Sequence, residues 1–288
     1  MDEWPDLPYE SWRPTRDTLH LYTQVVGKLR LALSPFEPQW ANVPLYLTAR
    51  GLTTSPVPWE SGTFDAEFDL FDHALVLRTS GGGVTRVPLR GAVADFHAAV
   101  MEALRGLGID VSISELPSEL PDPIPFPLDR VHDTYDGAQA QRFFQVLVRV
   151  DVVMKRHRAR FRGRTSPVQF FWGSFDLANT RYSGRPATPP PGVGTIMRLS
   201  EDAEQVCAGF WPGDPRTPVP AFFAYGYPRP PEIEAAAGWV EEAGLFLLPY
   251  AEVRAAPDPG AALLDFLERT YKACATRLGW DADLVSPP

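Results

Sequence analysis

Two strand-rich stretches, each bracketed by amphipathic helical periods and separated by a proline-rich segment, restrict what this chain can fold into more than any other feature. Leu19, Tyr22, Val26, Leu29 and Leu33 recur at three- and four-residue steps, as do Val93, Phe96, Val100, Leu104 and Leu107. A third period starts near Gly137 and carries Phe143, Leu147, Val150, Met154 and Phe161, and a fourth carries Leu263, Leu267, Tyr271, Cys274 and Leu278. Such spacing gives each helix one apolar stripe to lay on a sheet or on another helix. Asp136, three residues before Gln139, fits a capping box at the start of the third helix.

Between the helices lie strand-like runs, "NVPLYLTA", "TFDAEFDLF", "ALVLRTS" and "TRVPL" in the first set, "VQFFWGSFDLA", "PAFFAYGY" and "GLFLLPY" in the second. The glycine run at 80–83 supplies the positive φ angles of a hairpin turn; no Gly-Lys-Ser/Thr follows it, so it is not a phosphate loop. The expectation is an α+β protein of two similar helix, antiparallel-sheet, helix halves packed as one compact body. Residues 1–116 form the first half, 117–136 a connector, and 137–288 the second half. The connector begins with "PSELPDPIPFP", whose five prolines make it stiff. Pairs such as "NVPLYL" with "SPVQFF" and "DFHAAVMEALRGLGID" with "DFLERTYKACATRLGWD" suggest an internal repeat.

The balance of charges removes several function classes. A net charge of −9 excludes a broad phosphate-tracking surface, so no nucleic-acid partner is expected. The run "KRHRARFRGR", 155–164, reads as the solvated end of the third helix. No stretch has the length and apolarity of a membrane span, and the acidic start lacks a signal-peptide pattern, so the expectation is a cytoplasmic protein without a membrane partner. Two cysteines, Cys207 and Cys274, are too few for a thiolate cage and read as reduced and structural. The five histidines, at 20, 73, 97, 132 and 157, have no metal-ligating spacing. Neither a metal nor another cofactor is expected.

What remains is a set of aromatic and polar clusters in the second half. In "SPVQFFWGSFDLANTRYSGR", 166–185, strict strand alternation puts Trp172, Ser174 and Asp176 on one face. A buried Asp176 is costly unless it is hydrogen-bonded or borders a cavity. The reading in which it borders one places Arg181 and Arg185 at the rim. Ser174 lacks the glycine two residues later that a nucleophile elbow needs. "EQVCAGFWPGDP" supplies Glu204 and Trp211, and "FFAYGYPRP" aligns Tyr225 and Tyr227 with Phe223. His132, in a loop with Asp129 and Asp136 nearby in sequence, is suited to proton transfer near neutrality, although a structural role fits each of these residues as well.

These segments, with "AGFWPG", "LLPYAEVR", "DPGAALLDFLERTY" and "NVPLYLTARGLTTSPVP", resemble a bacterial family catalogued as domain of unknown function 5996. The resemblance covers nearly the whole chain and implies no activity. It does imply two departures. The family pattern S-P-V-H-F-F-W has histidine where this chain has Gln169, and a His-Glu pair stands where this chain has Ala203 and Glu204. If those histidines act in relatives, only Glu204 is kept here.

The function expected from the residues is the binding of a small polar or acidic metabolite in an aromatic pocket of the second half. Trp172, Trp211, Tyr225 and Tyr227 would line it, Arg181 or Arg185 would stand at its mouth, and Asp176, Glu204 or His132 would carry any acid–base chemistry. Whether the protein is an enzyme stays open. The competing expectation is a non-catalytic interaction protein whose aromatic strands are core or a dimer face.

Overall fold

In a computed structural model, residues 4–60 and 62–285 are described. The chain runs α1 (Tyr9–Leu33), β1 (Tyr46–Leu47), β2 (Gly51–Thr53), β3 (Val57–Trp59), β4 (Gly62–Asp69), β5 (Ala74–Thr79), β6 (Val84–Pro88) and α2 (Val93–Gly106). It continues through α3 (Gly137–Ala159), β7 (Gln169–Phe171), β8 (Asp176–Pro186), α4 (Thr195–Ser200), β9 (Ala203–Trp211), β10 (Ala221–Tyr227), β11 (Trp239–Val240), β12 (Leu245–Pro249), α5 (Tyr250–Ala255), α6 (Pro259–Arg277) and α7 (Ala282–Val285). All four helical periods and the α+β class are as the sequence predicts.

Every strand pairing is antiparallel. The first sheet has the order β1-β2-β4-β5-β6, with β3 also on β4, and the second the order β11-β12-β10-β9-β8-β7. Turn chemistry explains the β5–β6 connection: Gly82 takes φ +88°, and Thr79 N–H donates to Gly83 O at 2.9 Å. The two sheets meet edge to edge beside β1 and β7. Leu45 N–H donates to Phe170 O at 2.9 Å and Phe170 N–H to Leu45 O at 2.8 Å.

Helices α3 and α6 pack together and cover one face of the second sheet, over Phe170, Leu177, Phe210, Phe222 and Phe246. Asp136 caps α3 through its side chain, accepting from Ala138 N at 2.8 Å and Gln139 N at 3.3 Å. The reciprocal arm of the capping box is missing, because Asp136 N donates to Thr15 Oγ1 at 2.9 Å.

α1 departs from its pattern. Amphipathicity predicts a solvated polar face, yet Thr15 through Arg30 are buried apart from half-buried Asp17. Tyr22 stacks on Phe96 of α2 at 4.0 Å and Trp12 on Phe143 of α3 at 4.8 Å, so this helix wedges between the two halves. Its polar face is covered by the connector. Gln24 Nε2 donates to Ser118 O at 2.9 Å, Ser118 N–H donates to Gln24 Oε1 at 2.7 Å, and Lys28 Nζ donates to Ser118 Oγ at 3.0 Å. An amide side chain that pairs with both backbone groups of one residue replaces a strand partner, leaving neither group unsatisfied.

Candidate functional site

The stretch expected to be one continuous strand is a hairpin. β7 ends at Phe171, which pairs with Asp176 at the start of β8, and residues 172–175 make the turn. Phe175 closes it with φ +61° and an N–H donated to Phe171 O at 2.8 Å. A left-handed phenylalanine costs on the order of 1 kcal/mol or more. Its buried ring offsets this by packing on Phe170 at 5.2 Å, Phe143 at 5.3 Å and His20 at 4.7 Å. The turn breaks the alternation of faces, so Phe170 lies under the helices while Trp172, Ser174 and Asp176 face the other way.

That other face of the second sheet floors a cleft of about 860 Å³. Sheet register sets the floor in rows. Gln169, Ala178, Gly209 and Phe223 lie side by side across four strands, with Thr180, Cys207 and Tyr225 in the next row. The connector residues 117–124 form a wall, α1 contributes Arg16 and His20, and Trp211 and Asp214 close another side. The Trp172 indole is fixed by its N–H donated to Val43 O at 2.9 Å, with Lys28 Nζ 5.7 Å from the ring centre.

Two carboxyl groups share this cleft. Asp176 is 8% exposed, and burial pushes its pKa up to about 7. The Ser174 hydroxyl donates to its Oδ1 and works against that rise, while the nearby charge of Glu119 adds to it. Glu119 is open to cleft solvent yet enclosed by protein, and desolvation raises its own pKa. It presses on the turn so closely that a Cβ on Gly173 would collide with its carboxylate. Two acids held this way cannot both ionise freely.

Two histidines also line the cleft. His20 bonds through Nε2 to Gly173 O at 2.9 Å, and burial, then the Arg16 charge, push its pKa down to about 3. It is therefore neutral near neutral pH. His132 Nδ1 lies 2.7 Å from Oδ2 of fully buried Asp129, whose Oδ1 accepts from His132 N at 3.1 Å. A carboxylate acceptor places the ring proton on Nδ1 and leaves Nε2 as the basic nitrogen.

Trp172, Asp176, Trp211, Tyr225 and His132 thus border one cleft. Glu204, Arg181, Arg185 and Tyr227 do not, contrary to expectation. Arg181 shares its strand face with Leu177 and Asn179, and is buried beneath α3 and α6. It lies 4.2 Å from the Tyr271 ring centre and 5.1 Å from that of Phe161, donates to His157 O and lies 3.8 Å from Glu268. Glu204 also falls out of phase with the floor, on which its neighbours Gln205 and Cys207 lie, and pairs with Arg185 at 2.8 Å. Arg185 reaches the end of α6 as well, donating to Leu278 O at 3.0 Å. Tyr227, at the end of β10, donates to Thr188 O at 2.6 Å.

Glu119, Arg16 and His20 escaped sequence reasoning. For Arg16 and His20 the one signal was the composition of the polar face of α1, where Thr15, His20, Thr23 and Gln24 stand in place of the Lys and Glu usual on a solvated face; Glu119, in the connector, had none. Both cysteines are free and buried, and burial raises the Cys207 thiol to about 11, which leaves it an inert part of the floor. Among the described residues no helix is long and apolar enough to cross a membrane.

Searches of curated proteins and of solved structures each find no significant match. A family model described as "Family of unknown function (DUF5996)" matches residues 4–287, nearly the entire chain that builds both sheets and the cleft. The chain belongs to that family.

Proposed function

We propose that the cleft over the second sheet binds a small polar molecule and that Asp176 exchanges a proton with it. The observation that carries this reading is a carboxyl only 8% exposed on an aromatic cleft floor, where burial pushes its pKa up to about 7, with a second carboxyl, Glu119, beside it. Strongly perturbed acids in a cleft mark functional sites more often than ordinary surface, and a group half-protonated at working pH can both give and take a proton. Trp172, Tyr225 and Phe223 provide flat apolar surface for the body of the ligand. His132, oriented by Asp129, is the complementary base: Asp176 gives its proton to one side of the bound molecule, and Nε2 of His132 removes one from another.

The test has two parts. Infrared titration should reveal a protonated carboxyl band that disappears near pH 7 and is missing from Asp176→Asn. A thermal-shift screen of small polar metabolites should yield stabilising compounds whose effect is lost in Trp172→Ala. A screen whose hits stabilise both forms equally would refute the cleft as the binding site.

A further inference from the structure

Arg16 is 3% exposed, borders the cleft and has only part of its guanidinium paired. Nη1 donates to Asp17 Oδ1 at 2.8 Å, and Asp17 is shared with Arg13, whose Nε lies 3.6 Å from Oδ2. Nε of Arg16 is buried without a partner, and Nη2 makes no hydrogen bond or ion pair among the described residues. The unused side is therefore the Nε–Nη2 edge, the two parallel N–H groups that match the two oxygens of a carboxylate. A buried donor left unpaired costs free energy, which a ligand oxygen would recover.

The surroundings favour an anion there. Asp17 is shared between Arg16 and Arg13, so neither guanidinium has a carboxylate of its own. The Arg16 guanidinium carbon lies 5.5 Å from the centre of the Phe175 ring, which sets the fork against the turn that carries Trp172 and leads into Asp176. Building on the cleft reading above, we infer that the ligand is a small carboxylic acid with an apolar or aromatic body, its carboxylate held by the Nε–Nη2 edge of Arg16 and its body lying across Trp172 toward the sheet floor. Arg16 is then the specificity-determining residue, and Asp176 acts on the part of the molecule beyond the carboxylate.

Calorimetric titration of the full chain with phenylpropionate and with phenylpropionamide, probes of the same shape that differ in charge, tests this. The carboxylate is expected to bind wild type about tenfold or more tightly than the amide, a difference of at least about 1.4 kcal/mol. That preference should vanish in Arg16→Gln and survive only in part in Arg16→Lys, which keeps the charge and loses the fork. Equal binding of both probes by wild type, or an undiminished preference in Arg16→Gln, overturns the inference; the wild-type comparison decides even if the glutamine variant fails to fold. Where the amide binds, Trp172→Ala abolishes that binding and no carboxylate preference exists, the Arg16 inference falls alone. Where neither probe binds wild type, it falls together with the cleft reading.

Discussion

The carboxyl of Asp176 makes a signed prediction about stability. Folded, it holds its proton up to about pH 7, whereas an exposed aspartate releases it near 3.8. Between those values the native state binds more protons than the unfolded state, so this group's contribution to stability falls as pH rises through the window. Asp176→Asn, which mimics the protonated acid, should therefore be more stable than wild type at pH 8, on the order of 3 kcal/mol. The gain should shrink toward pH 5; thermal unfolding at the two pH values measures both. Arg181 is the opposite case, a buried cation whose partners depend on it. Arg181→Ala should lose about 3 kcal/mol in urea unfolding while the folded fraction binds ligand as wild type does. Residue identity alone showed Asp176 to be a problem needing a solution, because a buried carboxyl is expensive wherever it sits. Alternation from Asp176 already turns Arg181, five residues on, to the opposite face, but residue identity gave no sign that α3 and α6 would cover it there.

At the level of elements, local pattern was sufficient wherever local chemistry decides the outcome. Helical periods, the Asp136 cap and the glycine hairpin at 80–83 all carry their cause within a few residues. The β7–β8 turn does not. Its left-handed position is held by Phe175, a residue that avoids that conformation unless tertiary packing compensates, and not by Gly173, the glycine in the turn. Missing the turn left Phe170 on the face of Trp172 and Asp176, whereas Phe170 lies under the helices and the other two face the cleft. α1 was misjudged for a related reason, because what covers its polar face comes from a segment 90 or so residues away. Gly27 tests this burial. Alanine in a helix interior ordinarily stabilises by about 1 kcal/mol relative to glycine, yet a Cβ here would enter the Trp172 indole. Gly27→Ala should instead destabilise by about 1–3 kcal/mol and shift tryptophan fluorescence.

For the whole molecule, the order of elements was legible and their assembly was not. Helix, strands and helix occur twice along the sequence, but nothing in it indicated that β1 and β7 would meet edge to edge or that α1 would be buried between the halves. Those two features put direct contacts between the halves, from which one cooperative unit is expected. Calorimetry should give a single unfolding transition whose van't Hoff and calorimetric enthalpies agree; two resolved transitions would mean that the contacts of α1 with α2 and α3 are weak. The charge balance, read as evidence against polyanionic partners, is compatible with a cleft that carries paired acids at one part and a partly free guanidinium at another.

The connector over α1 has a consequence for how the chain could be cut. Residues 117–124 are part of the covalent link between the halves and also a wall of the cleft, whereas direct ties between the halves run through Leu45 with Phe170 and Trp12 with Phe143. A protease site engineered between Glu119 and Asp122 should therefore give a nicked protein whose two fragments co-elute as one particle on gel filtration. That particle would keep both sheets and lose the fixed position of Glu119. Continuity of the backbone at this point would then matter for the cleft and little for the scaffold, making the joint a natural place to separate folding from function.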